Sequence, residues 1–173
     1  SANSPACAGG LVATIGGSSM IANAAALGDV SVTGVSAEYN WCRAGGLLGS
    51  SAYLTHNCYA SGNVSLQDSA ESVKNVYLGC LIGEQSGGVV VSGHYFNGAV
   101  LRCNGETQTV KATGSIPSSW YFDYNKITAH DSVTDAAFAA AMNDGISESG
   151  LAETDAYLTS SGKFTSYTAE SLA

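Results

Sequence analysis

The sequence predicts an all-β fold, a parallel β-helix (β-solenoid) with a small helix-containing C-terminal cap. Three observations carry that expectation. Two short motifs recur, interleaved, every 34–36 residues. Residues 8–103 hold short apolar pieces alternating with polar ones, as in Val30-Ser31-Val32 and Val64-Ser65-Leu66, and lack the long 3.6-residue stripes that helical repeats need. Charged residues make up 12% of the 173-residue chain, about half the roughly 25% of ordinary soluble domains, while 21 residues are glycine.

The first motif sets two aliphatic residues behind a glycine: Gly9-Gly10-Leu11-Val12, Gly45-Gly46-Leu47-Leu48-Gly49 and Gly79-Cys80-Leu81-Ile82-Gly83, at intervals of 36 and 34 residues. The second runs from Asn23 to Val30, from Asn57 to Val64 and from Gly93 to Val100, at intervals of 34 and 36. Self-similarity at a period of roughly 20–50 residues marks a stacked-repeat architecture. Short strands broken by Gly and Asn make that stack a β one, with one or two coils to each repeat.

Residues at equivalent positions then lie about 4.8 Å apart, one above another. Val30, Val64 and Val100 are expected to form one inward aliphatic ladder. Gly28, Gly62 and Gly98 are expected to form a column where the backbone turns too tightly for a Cβ. Asn23 above Asn57 suits a side-chain amide ladder. Low charge fits the same picture, because like charges stacked at strand spacing repel. Arg102 falls where Val32 and Leu66 fall, so the pattern is expected to decay there.

At these residues the chain resembles a known family. Gly45-Gly46-Leu47-Leu48-Gly49 together with Asn57-Cys58-Tyr59-Ala60-Ser61-Gly62-Asn63-Val64 is similar to the GLUG-motif repeat of bacterial cell-surface, adhesin-like proteins, a repeat also found in IgA-protease-like proteins. The resemblance covers about residues 8–103, as one well-matched and two degenerate repeats. It departs from the motif where Ala24-Ala25-Ala26 replaces Cys-Tyr-Ala. The resemblance implies a β-helical fold and an extracellular, cell-surface setting, and it implies no catalytic residue.

Residues 1–103 are therefore read as the solenoid and residues 104–173 as its C-terminal cap. The second segment carries nine acids against three bases, whereas the first carries five against three. Gly114 to Pro117 reads as a turn, followed by the aromatic cluster Trp120-Tyr121-Phe122-Asp123-Tyr124. A helix is expected next, with Ser132 and Asp135 as a capping box, Phe138, Ala141 and Met142 on one face, and Gly145 as the stop. Val133-Thr134-Asp135-Ala136-Ala137-Phe138-Ala139 resembles the helix that follows the repeats in GLUG proteins. Aromatic segment and helix together are expected to cover the open end of the stack. A small hairpin is expected around Ser161-Gly162.

Composition also excludes partners. A net charge of −8 with only six Lys and Arg argues against nucleic acid. No apolar run reaches the roughly 20 residues that span a bilayer. At 45% hydrophobic the chain is not of the disordered class. Ser1 to Ala6 shows neither an initiator Met nor a leader, so the sequence is expected to belong to a larger chain. The five cysteines form no CxxC pair, and most are expected to be small buried hydrophobes.

Few residues suggest chemistry. The acids within the repeats, Asp29, Glu38, Asp68, Glu71 and Glu84, share no column that would pair two carboxylates as a glycosidase needs. Cys58 and His94 share a column beside Asn57, which could bring thiol and imidazole together, but an inert buried thiol is the better reading. His56, Cys58 and His94 lack metal-site spacing, so no metal, cofactor or catalytic residue is assigned. Asn63-Val64-Ser65 is a glycosylation acceptor sequence. The threonines fall in no regular array, which argues against ice binding. Trp120, Tyr121 and Tyr124 are the candidate ligand contacts, because sugars stack on exposed rings, with core capping as their other use. The expected function is a non-enzymatic structural and adhesive module whose partner is a carbohydrate or a host surface protein. The alternative is a glycan-active β-helix enzyme.

Overall fold

A computed structural model describes residues 6–16, 19–35, 41–51, 54–68, 75–86, 92–115, 127–132 and 136–149. Among the described residues the chain is mainly β: strands pair almost entirely in parallel, and one helix, α1 (Ala136–Ser149), accompanies them. No helix among the described residues is long and apolar enough to cross a membrane. A first pass of the chain lays down β1 (Ala6–Gly9), β2 (Val12–Ile15), β3 (Met20–Ala22), β4 (Ala25–Ala26) and β5 (Val30–Val35). The second pass sets β6 (Trp41–Gly45), β7 (Leu48–Ser51), β8 (Leu54–His56), β9 (Cys58–Ala60) and β10 (Val64–Asp68) on them, each parallel to its counterpart. In the third, β11 (Asn75–Gly79), β12 (Ile82–Gln85), β13 (Gly93–Phe96) and β14 (Leu101–Cys103) lie on β6, β7, β9 and β10. One sequence repeat is one pass through the sheets.

Register follows the motifs through the first two repeats. Gly9 pairs with Gly45 and Gly45 with Gly79, Val30 pairs with Val64, and Gly62 stands against the Gly28 carbonyl. The amide of Asn57 donates to Asn23 Oδ1 at 2.8 Å. Both asparagines hold left-handed backbone, φ 51° and 47°, a region that Asn enters more readily than most side chains.

In the third repeat the register departs from expectation. Gly93 pairs with Cys58, a step of 35, but Leu101 pairs with Val64, a step of 37. Two extra residues are taken up in the turn Phe96-Asn97-Gly98-Ala99, closed by the Ala99 N–H donating to the Phe96 carbonyl. Leu101, not Val100, therefore completes the aliphatic ladder, and Gly98 leaves the glycine column to sit against the ring of Phe96. Cys103, not Arg102, covers Leu66, while Arg102 pairs with Ser65 and is exposed. The slip buries a leucine and leaves a guanidinium in water, which avoids the cost of desolvating an unpaired charge.

Beyond Cys103 the repeat signal ends but the sheets continue. Asn104 (φ 50°) and Gly105 (φ 83°) make a tight turn into β15 (Glu106–Gln108), which returns antiparallel along β14. Such a pair of positive φ values is what a two-residue hairpin requires. Then β16 (Thr113–Ser115) adds to β12 and β17 (Ile127–His130) adds to β13, both in parallel.

The sheets enclose two apolar cores. Val30, Cys42, Ala44, Val64, Leu78 and Leu101 fill the first, and Leu47, Leu48, Cys58, Ala60, Leu81 and Ile82 the second. Each fully buried leucine contributes about 1.5–3 kcal/mol. Between the cores the chain doubles back at the glycine motif, and backbone meets backbone there. A Cβ on Gly45 would strike the Leu48 carbonyl, and one on Gly46 would strike the Cys80 carbonyl and the Ala60 methyl.

The helix departs from expectation in three ways. It lies on a flank of the stack, not across its end. Cys58 and Ala60 point into the second core, so Tyr59 between them points outward, where Phe138, Ala139, Met142 and Ile146 bury it. Gly145 does not stop the helix, which runs on to Ser149. It is instead a point of close approach: a Cβ there would collide with the Asn57 side chain, whose amide donates to the Met142 carbonyl at 2.9 Å. Ala139, not Ala141, joins the buried face. Asp135 of the expected capping box and the Ser161-Gly162 hairpin lie outside the described residues.

The glycine contacts yield a paired prediction. Gly46→Ala should cost about 1–3 kcal/mol, as overpacking does. Gly28→Ala, where nothing lies within 4 Å of the added Cβ, should stay within about 0.5 kcal/mol. Urea denaturation of both variants measures the difference, and equal effects would contradict the backbone seam.

Candidate functional site

Trp120, Tyr121 and Tyr124 lie outside the described residues. The Cys58–His94 column is not formed: Gly93 stands on Cys58, and His94 stands on Tyr59. The expected step was one residue too long at this point, which moves His94 to the opposite face of the sheet. The Cys58 thiol faces the second core and donates to the His56 carbonyl at 3.2 Å. Burial pushes it up to about 12, so it carries no thiolate at neutral pH. Cys80 is pushed up to about 11 by the same cause. All five cysteines are free thiols, and Cys42, Cys58 and Cys80 are buried. Among the described residues no three potential ligands gather to hold a metal ion.

His56 and Asn63 serve the framework. The His56 ring meets the Gly145 carbonyl at 3.3 Å. Asn63 is held at both ends of its amide: Nδ2 donates to Asp29 Oδ1 at 3.1 Å, and Oδ1 accepts from the Val100 N–H at 2.9 Å. The glycosylation acceptor is thus a rung in a polar ladder.

Beneath α1 the outer face of β9, β13 and β17 presents three rings, Tyr59, His94 and His130, to Phe138 of the helix. The centroid of Phe138 lies 4.6 Å from Tyr59 and from His130, and 6.1 Å from His94. His94 Nδ1 meets His130 Nε2 at 3.0 Å. Burial first, and then the charge of His130, hold His94 down to about 4. The hydrogen bond between the two imidazoles ties β13 to β17, and the Phe138 ring of α1 packs edge to face on both.

A different surface faces solvent. On β6, Cys42 and Ala44 point inward, so Trp41 and Arg43 point outward. The next pass sets Tyr77 on Arg43. Trp41 is 42% exposed and meets Tyr77 edge to face, with centroids 6.1 Å apart. The guanidinium carbon of Arg43 lies 5.0 Å from the indole centroid, and Arg43 Nε is ion-paired with Glu84 of β12. Ser50 Oγ donates to Glu84 Oε2 at 3.5 Å. Attraction between cation and ring quadrupole holds the guanidinium against the indole, and the carboxylate holds its other side.

The arrangement is an aromatic platform edged by planar polar groups. An apolar sugar face can lie on the exposed indole, with the half-buried Arg43 guanidinium at its edge and the Glu84 carboxylate buried behind it. Sequence reasoning missed it because outward columns were compared for carboxylates and threonines but not for aromatic and basic residues. The signal was present: the 34-residue step that stacks Gly45 under Gly79 also stacks Arg43 under Tyr77.

No protein-family model, no curated protein and no solved structure matches the chain.

The buried imidazole yields a pH prediction. A histidine in the unfolded chain titrates near 6.5, and His94 in the fold near 4. Between those values the unfolded chain holds more protons. This group's stabilisation is therefore complete above about pH 6.5 and declines as pH falls toward 4, by on the order of 3 kcal/mol. Thermal melts from pH 7 to 4 should show a shallower acid limb for His94→Gln than for the parent. Parallel limbs would contradict the burial of a neutral ring.

Proposed function

We propose that the chain is a non-enzymatic structural and adhesive module, a parallel β-solenoid of an extracellular bacterial surface protein, that contacts a carbohydrate or a glycosylated host surface protein. The single observation behind the ligand is the Trp41–Tyr77 pair with the Arg43 guanidinium at its edge, held from behind by the buried Glu84, on the outside of a regular stack. The solenoid reading is supported by parallel registers that advance one repeat per pass. The surface setting rests on the GLUG-like residues from Gly45 to Val64. Glu84 is buried and engaged by a guanidinium and a hydroxyl, which suits a fixed support for Arg43 better than a proton-transferring acid, which works with a second carboxylate in glycoside hydrolysis.

A glycan array run beside a polysaccharide-hydrolysis screen tests the reading. Binding to a restricted set of glycans is expected. Trp41→Ala should weaken it about tenfold or more, the loss of an aromatic contact of about 1.5 kcal/mol, with an unchanged melting temperature. Turnover that disappears in Glu84→Gln would replace this reading with the glycan-active enzyme.

A further inference from the structure

We propose that the Trp41 platform takes an uncharged sugar, and that the Asn75 amide is the group that selects among such sugars. The inference rests on the carbohydrate reading above and adds to it the chemical class of the ligand.

The class follows from where charge lies. Among the described residues the cation set against the indole is Arg43, and it is already committed. Its guanidinium lies on the ring and its Nε is ion-paired with Glu84, which is 7% exposed. A ligand carboxylate on the same guanidinium would share one positive charge with a buried carboxylate that cannot turn away to water. Drawing Arg43 off toward the ligand would leave Glu84 without its counter-charge, which is the costly way to break a buried pair. The pair is neutral as a unit, and the chain around it carries a net charge of −8, a field that lowers the local concentration of anions. Sialylated, uronic and sulfated sugars are disfavoured on each count. Hydroxyls are left as the polar handles of the ligand.

The neutral groups able to meet hydroxyls stand one pass higher. On β11, Val76 and Leu78 pack toward the first core, so Asn75 and Tyr77 face outward. Asn75 is the strand partner of Trp41, as Tyr77 is of Arg43. Both are half-buried, and among the described residues neither the Asn75 amide nor the Tyr77 hydroxyl has a hydrogen-bond partner. One pass lower the polar groups are spent: the Cys7 thiol donates to the Ala13 carbonyl at 2.9 Å and accepts from Thr14 Oγ1 at 3.3 Å. Stacking sets Asn75 about 4.8 Å from Trp41 and about 6.6 Å from Tyr77 along the strand, backbone to backbone. A sugar ring lying on the indole is bordered at that spacing by the amide. An amide offers an acceptor and a donor side by side, so it can bond two neighbouring hydroxyls at once, whereas a guanidinium only donates and a carboxylate only accepts. The indole supplies contact area, and Asn75 reads which pair of hydroxyls is presented.

Immobilised lactose, cellobiose and chitobiose are compared by biolayer interferometry with the same disaccharides oxidised to a carboxylate at C6 of the terminal sugar. At least one neutral disaccharide should bind, and its carboxylate about tenfold or more weaker. The neutral affinity should change less than about twofold between about 0.05 M and 0.5 M salt, because no ion pair forms with the ligand. Asn75→Ala should weaken the preferred disaccharide about fivefold or more and narrow the spread among the three, at an unchanged melting temperature. Trp41→Ala should weaken all three. Carboxylates that bind as well as their parents would overturn this inference, as would an Asn75→Ala that changes nothing or lowers all affinities alike with the melting temperature; Trp41-dependent binding would then keep the carbohydrate reading. Binding that survives Trp41→Ala, or that none of the six sugars shows, would overturn both.

Discussion

Each residue of this chain must be compatible with the residues one pass above and below it, at strand spacing, in parallel. That constraint governs the rest. Like charges cannot occupy a column, so charge is sparse. A side chain cannot stand where two sheets meet backbone to backbone, so glycines fall in register at Gly9, Gly45 and Gly79. Left-handed turns between strands call for asparagine, and the two at Asn23 and Asn57 bond to each other and, through Asn57, to the helix. The seam divides the interior into two small cores, which leaves the fold dependent on many rungs and on no single cluster.

How much of this was legible in the sequence depended on whether the deciding signal was periodic. The glycine motif, the Val30–Val64 ladder and the Asn23–Asn57 pair are repetitions of the same residue at the same step, and the structure keeps them in register. The slip in the third repeat was hidden. Two residues inserted between Phe96 and Ala99 change the step from 35 to 37, and identity matching alone aligned Val100 and Gly98 instead. Burial energy decides such a case, because it favours Leu101 inside and Arg102 outside. The Cys58–His94 pairing failed for the same reason: one residue of register reverses the face of every side chain.

Other features were not periodic at all. The Asn104-Gly105 dipeptide is a strong hairpin signal, but it falls where the repeats fade, and it turns the chain back antiparallel along β14. The helix was recognisable from its composition, yet its seat was not. Tyr59 reads as a core residue on a strand whose neighbours are small, and only the alternation of Cys58 and Ala60 inward shows that it needs an external cover. Gly145 looked like a terminator because its partner, Asn57, is distant in sequence. The platform of Trp41 and Tyr77 was readable from the same columns, since the step that stacks Gly45 under Gly79 also stacks Arg43 under Tyr77.

Backbone NOE spectroscopy on isotope-labelled protein measures the central claim most directly, since at 17.5 kDa the chain is within easy reach of resonance assignment. Interstrand cross-peaks should join Ser31 to Ser65, Ala8 to Ala44 and Ala44 to Leu78, and in the third repeat should join His94 to Tyr59 with no counterpart to Cys58. Cross-peaks confined to neighbouring segments, in the antiparallel pattern of a meander, would contradict the stacked register and everything built upon it.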